Sequence, residues 1–263
     1  MFDPPAIFGC GQCFRWKKQQ DDGDVYTGVA YGQIITVSLK NNALTIENID
    51  KAAYDSVWQY YFGLHIDYKQ VVKRLSSEKK IIKAVEYSPG LRIMRQEPWE
   101  MLVTFILSQR TNIPRIIKMV DKLCMCFGEP LGGGHYTFPG PESLAKLSNE
   151  DLGPIRSGYR AAYITDAARK VACGMIDLDS FYNHSTEDIY KALLTIHGVG
   201  PKVADCILLY GYGRLERVPR DIWIERVMKS LYPNGFPDEL SDIAGLAQLY
   251  LFNYARNNKG NFV

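Results

Sequence analysis

Residues 193–206 read LLTIHGVGPKVADC, and residues 218–221 read VPRD. Leu193, Leu194 and Ile196 end one apolar helical face, Gly198-Val199-Gly200 is a run able to turn sharply with positive φ, and Pro201-Lys202 opens the next helix. Two short helices joined this way leave backbone N–H groups pointing out of the turn. Together with the positive end of the second helix, those groups bind phosphate without reading base sequence. Taken alone, the run is equally what a tight turn between packed helices uses.

Lys202 and Cys206 stand at i and i+4 on the second helix and share a face. The positive helix end and partial burial both favour a neutral amine at Lys202, and a neutral amine is a nucleophile. The plain alternative is a solvated lysine at a helix start. Asp221 precedes a run in which Ile224, Val227, Met228 and Leu231 repeat at i, i+3, i+4 and i+7, which makes it the N-cap of a helix. As a cap alone it is structural; facing a lysine across a cleft, its carboxylate also stabilises a cationic transition state.

The order of hairpin, Gly-Val-Gly-Pro-Lys, spacer, Val-Pro-x-Asp and helix resembles the helix-hairpin-helix base-excision glycosylases. GVGPKVADC, residues 198–206, is most similar to the 8-oxoguanine DNA glycosylases. The resemblance reaches from Gly9 to Phe252 and implies an enzyme that is both an N-glycosylase and an abasic-site lyase. In that reading Lys202 attacks C1′, Asp221 stabilises the positive sugar, and the resulting Schiff base permits β-elimination.

The remaining chain agrees with an α+β fold. Over residues 1–47 short β-like runs alternate with turns, at 13–16, 25–31, 33–39 and 43–47, with a polar turn at 17–24 and an Asn41-Asn42 turn. Helices at about 50–62 and 68–75 cover this meander. An N-terminal antiparallel β-sheet domain over residues 1–88 is therefore expected to precede a larger all-helical body over 89–263. Within that body the largely apolar 98–107 is expected to be a central buried helix, followed by a polar break at 108–115 and a helix at 116–127. A flexible connection at 132–141, a short helix at 143–152, a helix ending at Gly174 and a terminal helix over 242–252 complete it.

The resemblance assigns further residues. GCGQCFRW, residues 9–16, matches the segment whose glycine carbonyl accepts the N7–H that 8-oxoguanine has and guanine lacks, and Gly11 falls at that position. Cys206 and Phe252 are implied to sandwich the flipped purine while Gln248 bonds its Watson–Crick edge. Gln248 and Phe252 share a helix face, as Lys202 and Cys206 do. Arg115 matches the arginine that reads the orphaned cytosine. Arg110 stands at the gap-filling position, where the well-known eukaryotic members carry asparagine. Tyr159 and Arg160 match the pair that wedges the duplex open and contacts the cytosine. Gly198, Val199 and Gly200 provide hairpin backbone to a phosphate; Trp223 stands where some members have a phosphate-binding histidine, and Arg220 could supply a contact of its own.

Composition bounds these assignments. Apolar residues make up 46% and charged residues 23%, as in ordinary globular domains, and no apolar run approaches the roughly twenty residues needed to span a bilayer. The net charge is only +2, so DNA affinity has to come from local clusters and helix termini. The six cysteines sit mostly in apolar surroundings and suit free thiols in a reducing, DNA-containing intracellular compartment. Cys10-Gly-Gln-Cys13 has metal-ligand spacing but no second pair, and no cysteine follows Cys206, which argues against an iron–sulfur loop. The expected partner is double-stranded DNA containing 8-oxoguanine, bound by a monomer without a membrane, metal or cofactor. The rival readings are a glycosylase of the same fold acting on another damaged base and a non-catalytic hairpin DNA-binding module.

Overall fold

The computed structural model describes residues 2–19 and 23–258. The expected turn at 17–24 includes residues 20–22, which lie outside the described residues. Three strands form where β-branched alternation is strongest, and a two-residue strand extends the sheet: β1 (Lys17–Lys18), β2 (Val25–Ala30), β3 (Gln33–Lys40) and β4 (Ala43–Ile46) pair antiparallel in sequence order. Both tight hairpins have two consecutive residues of positive φ, Tyr31 and Gly32 at 50° and 68°, Asn41 and Asn42 at 51° and 62°. That is the type I′ geometry matched to strand twist.

Residues 13–16 are not a strand. Cys13, Phe14 and Trp16 are all buried, so the segment has no solvent-facing alternation, and it runs as an irregular loop beneath the sheet. Trp16 lies so close to β2 that a Cβ on Gly28 would come within 2.5 Å of its ring. Its indole stacks on Phe8 at 4.6 Å and donates to the Tyr61 hydroxyl at 3.0 Å. The first residues also hold an unexpected helix, α1 (Pro4–Gly9), capped by Asp3, which accepts the Ala6 N–H at 3.1 Å.

Helices α2 (Lys51–Ala53) and α3 (Gln59–Tyr61) are joined by a π-helical turn, and Trp58 and Tyr61 pack against Tyr31 at the β2–β3 turn, whereas α4 (Tyr68–Ser76) and α5 (Ile82–Tyr87) pack on each other and toward the C-terminal helices. Then comes α6 (Pro98–Leu107), the apolar helix expected at the centre, with every residue from Glu100 to Leu107 buried. The break after it is shorter than expected. Asn112 caps α7 (Ile113–Phe127) by accepting the Arg115 N–H at 3.0 Å, so Arg115 sits in the first helical turn. Instead of a plain connection, a small hairpin of β5 (Pro130–Gly132) and β6 (His135–Tyr136) follows. The helix expected at 143–152 is only α8 (Pro141–Ala145), because Asp151 and Ser148 close a turn on each other. The body continues through α9 (Arg160–Ala172), α10 (Thr186–Leu194), α11 (Pro201–Tyr212), α12 (Ile222–Leu231) and α13 (Ala244–Asn257). α6 packs against α11 and α9, and α13 against α12 and α5.

One charge lies inside this core. Glu100 is 7% exposed and pairs with Arg15 at 3.1 Å, and burial pushes its carboxyl up to about 7 despite that partner. The folded protein therefore holds a proton at Glu100 over a range in which the unfolded chain has released it. Stability from this group is greatest below the ordinary glutamate range and falls as pH rises toward 7, by an amount on the order of 3 kcal/mol. Urea unfolding followed from pH 4.5 to 7.5 should show that slope, and Glu100→Gln should flatten it; equal slopes in both proteins would assign the proton elsewhere.

Candidate active site and DNA interface

The hairpin is held from behind by α9. Gly198 has a φ of +83°, and a Cβ there would lie 2.2 Å from the Tyr163 ring, so conformation and space both require glycine. Asp166 accepts the His197 N–H at 2.9 Å and pairs with Lys170, whose Nζ also donates to the Thr195 carbonyl at 2.8 Å. Gln109, at the end of α6, donates to the Gly198 carbonyl at 2.9 Å. Gly200 departs from expectation: its backbone is extended, at φ −98°, and it serves as the N-cap of α11. No side chain caps that terminus and Pro201 occupies its first turn, so the remaining first-turn N–H groups are available to an external anion. Val199 is 5% exposed, so its side chain packs inward and only its main chain can serve such a contact. Leu194, placed on the apolar face from sequence, is 38% exposed.

Lys202 rises from the first turn of α11 against the end of α6. Its Nζ lies 3.4 Å from the Ser108 hydroxyl and 5.0 Å over the Phe105 ring, and among the described residues it forms no ion pair. Cys206, one turn further, is buried, and burial raises its thiol to about 11, with the Lys202 charge offsetting only part of that rise. Cys206 is thus a protonated, polarisable wall and not a competing nucleophile. Asp221 caps α12 by accepting the N–H groups of Trp223 at 3.0 Å and Ile224 at 2.9 Å. Both bonds use one carboxylate oxygen, so the other is not consumed by the cap. The charges of Lys202 and Asp221 bear on the Cys206 thiol in opposite directions, Lys202 lowering its pKa and Asp221 raising it.

The proposed base contacts come from opposite ends of the chain. Gly11 has a φ of +90°, and a Cβ built on it would meet Ile113 at 2.5 Å and Arg256 at 3.5 Å. Gln248 is 3% exposed, yet its Oε1 has no hydrogen-bond partner among the described residues. A buried amide oxygen left unpaired costs about 1–3 kcal/mol, which a ligand donor would recover. Phe252, a turn later, is half-buried and carries the Arg256 guanidinium 5.8 Å from its ring. Arg256, which sequence reasoning did not single out, also donates to the Gly9 carbonyl at 2.7 Å. A signal was present: residues 248, 252 and 256 recur every fourth position on one face.

Around this locus lie the residues expected to meet the opposite strand. Arg110 is exposed and has a φ of +48°, a left-handed conformation that favours asparagine or glycine over arginine. Arg115 is exposed. Tyr159 is 48% exposed and is joined to the hairpin by ring contacts, to Tyr163 at 5.6 Å and from there to His197 at 4.6 Å. Arg160 is arranged differently from the expectation. It is 5% exposed, and its guanidinium is spent on the Ser157 carbonyl at 3.0 Å and on the Gln109 carbonyl through two nitrogens, with the Tyr159 ring 4.6 Å away. In this arrangement it braces Gln109 and Tyr159, with one N–H of each of its three nitrogens spent on main-chain carbonyls. Gln109, likewise missed from sequence, therefore links that brace to the hairpin. Trp223 is half-buried under Arg226, 5.5 Å from its ring, and Arg220 is exposed beside it. Among the described residues no cluster of three or more His, Cys, Asp or Glu could hold a metal ion, and no helix is long and apolar enough to cross a membrane.

Two family models match the chain: the 8-oxoguanine DNA glycosylase N-terminal domain over residues 1–102 and the HhH-GPD superfamily base excision DNA repair protein over residues 103–239. They meet inside α6. The N-glycosylase/DNA lyase of Saccharomyces cerevisiae is 32% identical over 86% of this chain and 67% of its own length. A solved complex of the Clostridium acetobutylicum 8-oxoguanine glycosylase/lyase with double-stranded DNA containing cytosine opposite 8-oxoG superposes with a TM-score of 0.91 at 33% identity, covering 98% of this chain and 93% of that one. MBOgg1, solved with a low affinity DNA ligand, superposes with a TM-score of 0.92 at 41% identity over 98% of this chain and 93% of its own. With a lysine in the first helical turn after a glycine hairpin, an aspartate capping the next helix and an N-terminal antiparallel sheet, the chain belongs to the 8-oxoguanine DNA glycosylase family of helix-hairpin-helix base-excision repair proteins.

Proposed function

We infer that this protein excises 8-oxoguanine from duplex DNA and then cleaves the abasic strand. The observation that carries this is the setting of Lys202: a lysine with no ion pair among the described residues, beside Ser108 and Phe105, in the first turn of α11 and one turn before the buried Cys206. A phosphate bound at the hairpin positions the strand, and the extruded nucleotide enters between the Gly11 loop and the face of α13 bearing Gln248 and Phe252. The lysine amine forms a bond to C1′ as the bond from C1′ to the base breaks, and the base leaves with the electron pair. Asp221, fixed by its cap, lies where the positive charge on the sugar develops, so its carboxylate favours the transition state over the ground state. The departing base takes a proton, the nitrogen loses one, and the C1′–O4′ bond opens with O4′ protonated to give the Schiff base; this makes the C2′ proton acidic, and its loss expels the phosphate at C3′.

Recognition draws on three supports. The Gly11 carbonyl accepts the N7–H peculiar to 8-oxoguanine, the orphaned Gln248 Oε1 accepts a donor on the Watson–Crick edge, and Phe252 with Cys206 flanks the purine plane. Arg110, Arg115 and Tyr159 act on the gap and the opposite strand, and Trp223 and Arg220 on the neighbouring phosphates. The free cysteines and the DNA substrate suit an intracellular, reducing compartment that holds DNA.

Lys202→Gln should abolish borohydride trapping on an 8-oxoguanine duplex while leaving binding in place; trapping that survives the substitution would remove Lys202 as the nucleophile. Asp221→Asn keeps the cap, since asparagine caps as well as aspartate, so melting should be unchanged while single-turnover excision slows about 10²–10³-fold. A rate equal to the wild type would leave Asp221 with a structural role only. On duplexes with 8-oxoguanine opposite each of the four bases, Arg115→Ala should lower the preference for cytosine by about tenfold, the loss of one good base contact. An unchanged preference profile would place cytosine reading on other residues.

A further inference from the structure

The two halves of the base pocket stand 241 positions apart, Gly11 near one end of the chain and Phe252 near the other. In the base-recognition reading, discrimination between 8-oxoguanine and guanine rests on a single N7–H to carbonyl hydrogen bond, whose loss leaves a buried polar group unpaired. That bond is realised only if the Gly11 peptide is held within a few tenths of an ångström of its place at the purine edge.

The Gly9–Cys13 loop is tethered on one side by Gln12, which is fully buried and bonds the main chain at Ile7, Arg92 and Met94. On the side that faces the pocket, the contact is Arg256. Its Nη2 donates to the Gly9 carbonyl at 2.7 Å, its Nη1 passes 3.5 Å from the Cβ position of Gly11, and its guanidinium rests 5.8 Å from the Phe252 ring. One planar, permanently charged group therefore touches both walls of the pocket at once.

We propose that Arg256 is a positioning residue for damage recognition: by bonding the Gly9 carbonyl while lying against Phe252, it sets the gap between the Gly11 carbonyl and the ring on which the purine stacks. This rests on the base-recognition reading above. Its consequence is selective. A strand that already lacks its base never uses that gap, whereas an 8-oxoguanine nucleotide depends on it. The Lys202 chemistry is common to both substrates, so the two activities separate the recognition of the base from the reaction at C1′.

The test compares wild type, Arg256→Met and Arg256→Lys on three duplexes: 8-oxoguanine opposite cytosine, guanine opposite cytosine, and an abasic site opposite cytosine. Arg256→Met keeps the apolar stem but removes the donors. It should weaken half-saturation for 8-oxoguanine and cut its selectivity over guanine by about tenfold, while abasic-site nicking stays within about twofold of wild type. Arg256→Lys, which restores one donor and the charge, should fall between the two, and it keeps the test intact if the methionine variant does not fold. Unchanged selectivity in both variants, with an active wild type, would overturn the inference. So would parallel losses on the 8-oxoguanine and abasic duplexes, because that is the mark of general structural damage. A wild type that nicks abasic sites but does not release 8-oxoguanine would overturn the functional reading itself, and this inference with it.

Discussion

The side-chain amide of Gln12 is the constraint on which the rest of the site depends. It is fully buried, and both of its ends are used: the nitrogen donates to the Ile7 and Arg92 carbonyls and the oxygen accepts the Met94 N–H. Its own carbonyl accepts the Gln96 side chain, and the Gln96 N–H donates to the Tyr210 carbonyl on α11 at 2.6 Å. Tyr210 in turn stacks on Phe105 at 5.6 Å, the ring over which Lys202 lies. A continuous run of satisfied buried contacts thus joins the loop that meets the base to the helix that carries the lysine. Any member left unpaired in this interior would cost its full desolvation penalty, so the loop cannot drift relative to the lysine without breaking several bonds together.

The same economy explains how a chain of net charge +2 handles a polyanion. Its DNA-facing elements are local: an uncapped helix terminus, exposed arginines at 110, 115 and 220, and a half-exposed tyrosine. Several charges placed inward are matched. Arg15 meets Glu100 and the Tyr136 carbonyl, Arg217 meets Asp205 at 2.7 Å, and Lys170 with Asp166 clamps the hairpin. The interior ion pairs therefore serve geometry, and the exposed arginines at these local elements are left for phosphate.

Much of this was legible before any coordinates. The periodicity after Asp221 located α12 and its cap, the apolar run at 98–107 located the central helix, and the Asn41-Asn42 pair located a hairpin. Other features were misread for identifiable reasons. The Asp3-Pro4-Pro5 start of α1 is a legible cap signal that was passed over because the helix is only six residues long. Residues 13–16 look strand-like because they are bulky and apolar, yet their burial on all sides is a tertiary fact. Asn112 moved the start of α7 back, carrying Arg115 from the loop onto the helix. Arg160 matches a cytosine contact by position, and its burial and its bonds to the Gln109 and Ser157 carbonyls are tertiary facts that position does not record.

What the sequence determined by itself was whatever depends on neighbours a few residues away: the glycine turn, the cap at Asp221, and the shared faces of Lys202 with Cys206 and Gln248 with Phe252. Turn geometry and helix periodicity are local, so they can be read from spacing. What only the tertiary structure decided was which of these local units face one another. Gln12, Gln109, Tyr163 and Arg256 carry no motif, because each matters through a partner 34 to 247 positions away: Arg92 and Met94 for Gln12, Gly198 for Gln109, His197 for Tyr163 and Gly9 for Arg256. Long-range packing creates those partners, and a one-dimensional pattern does not record them.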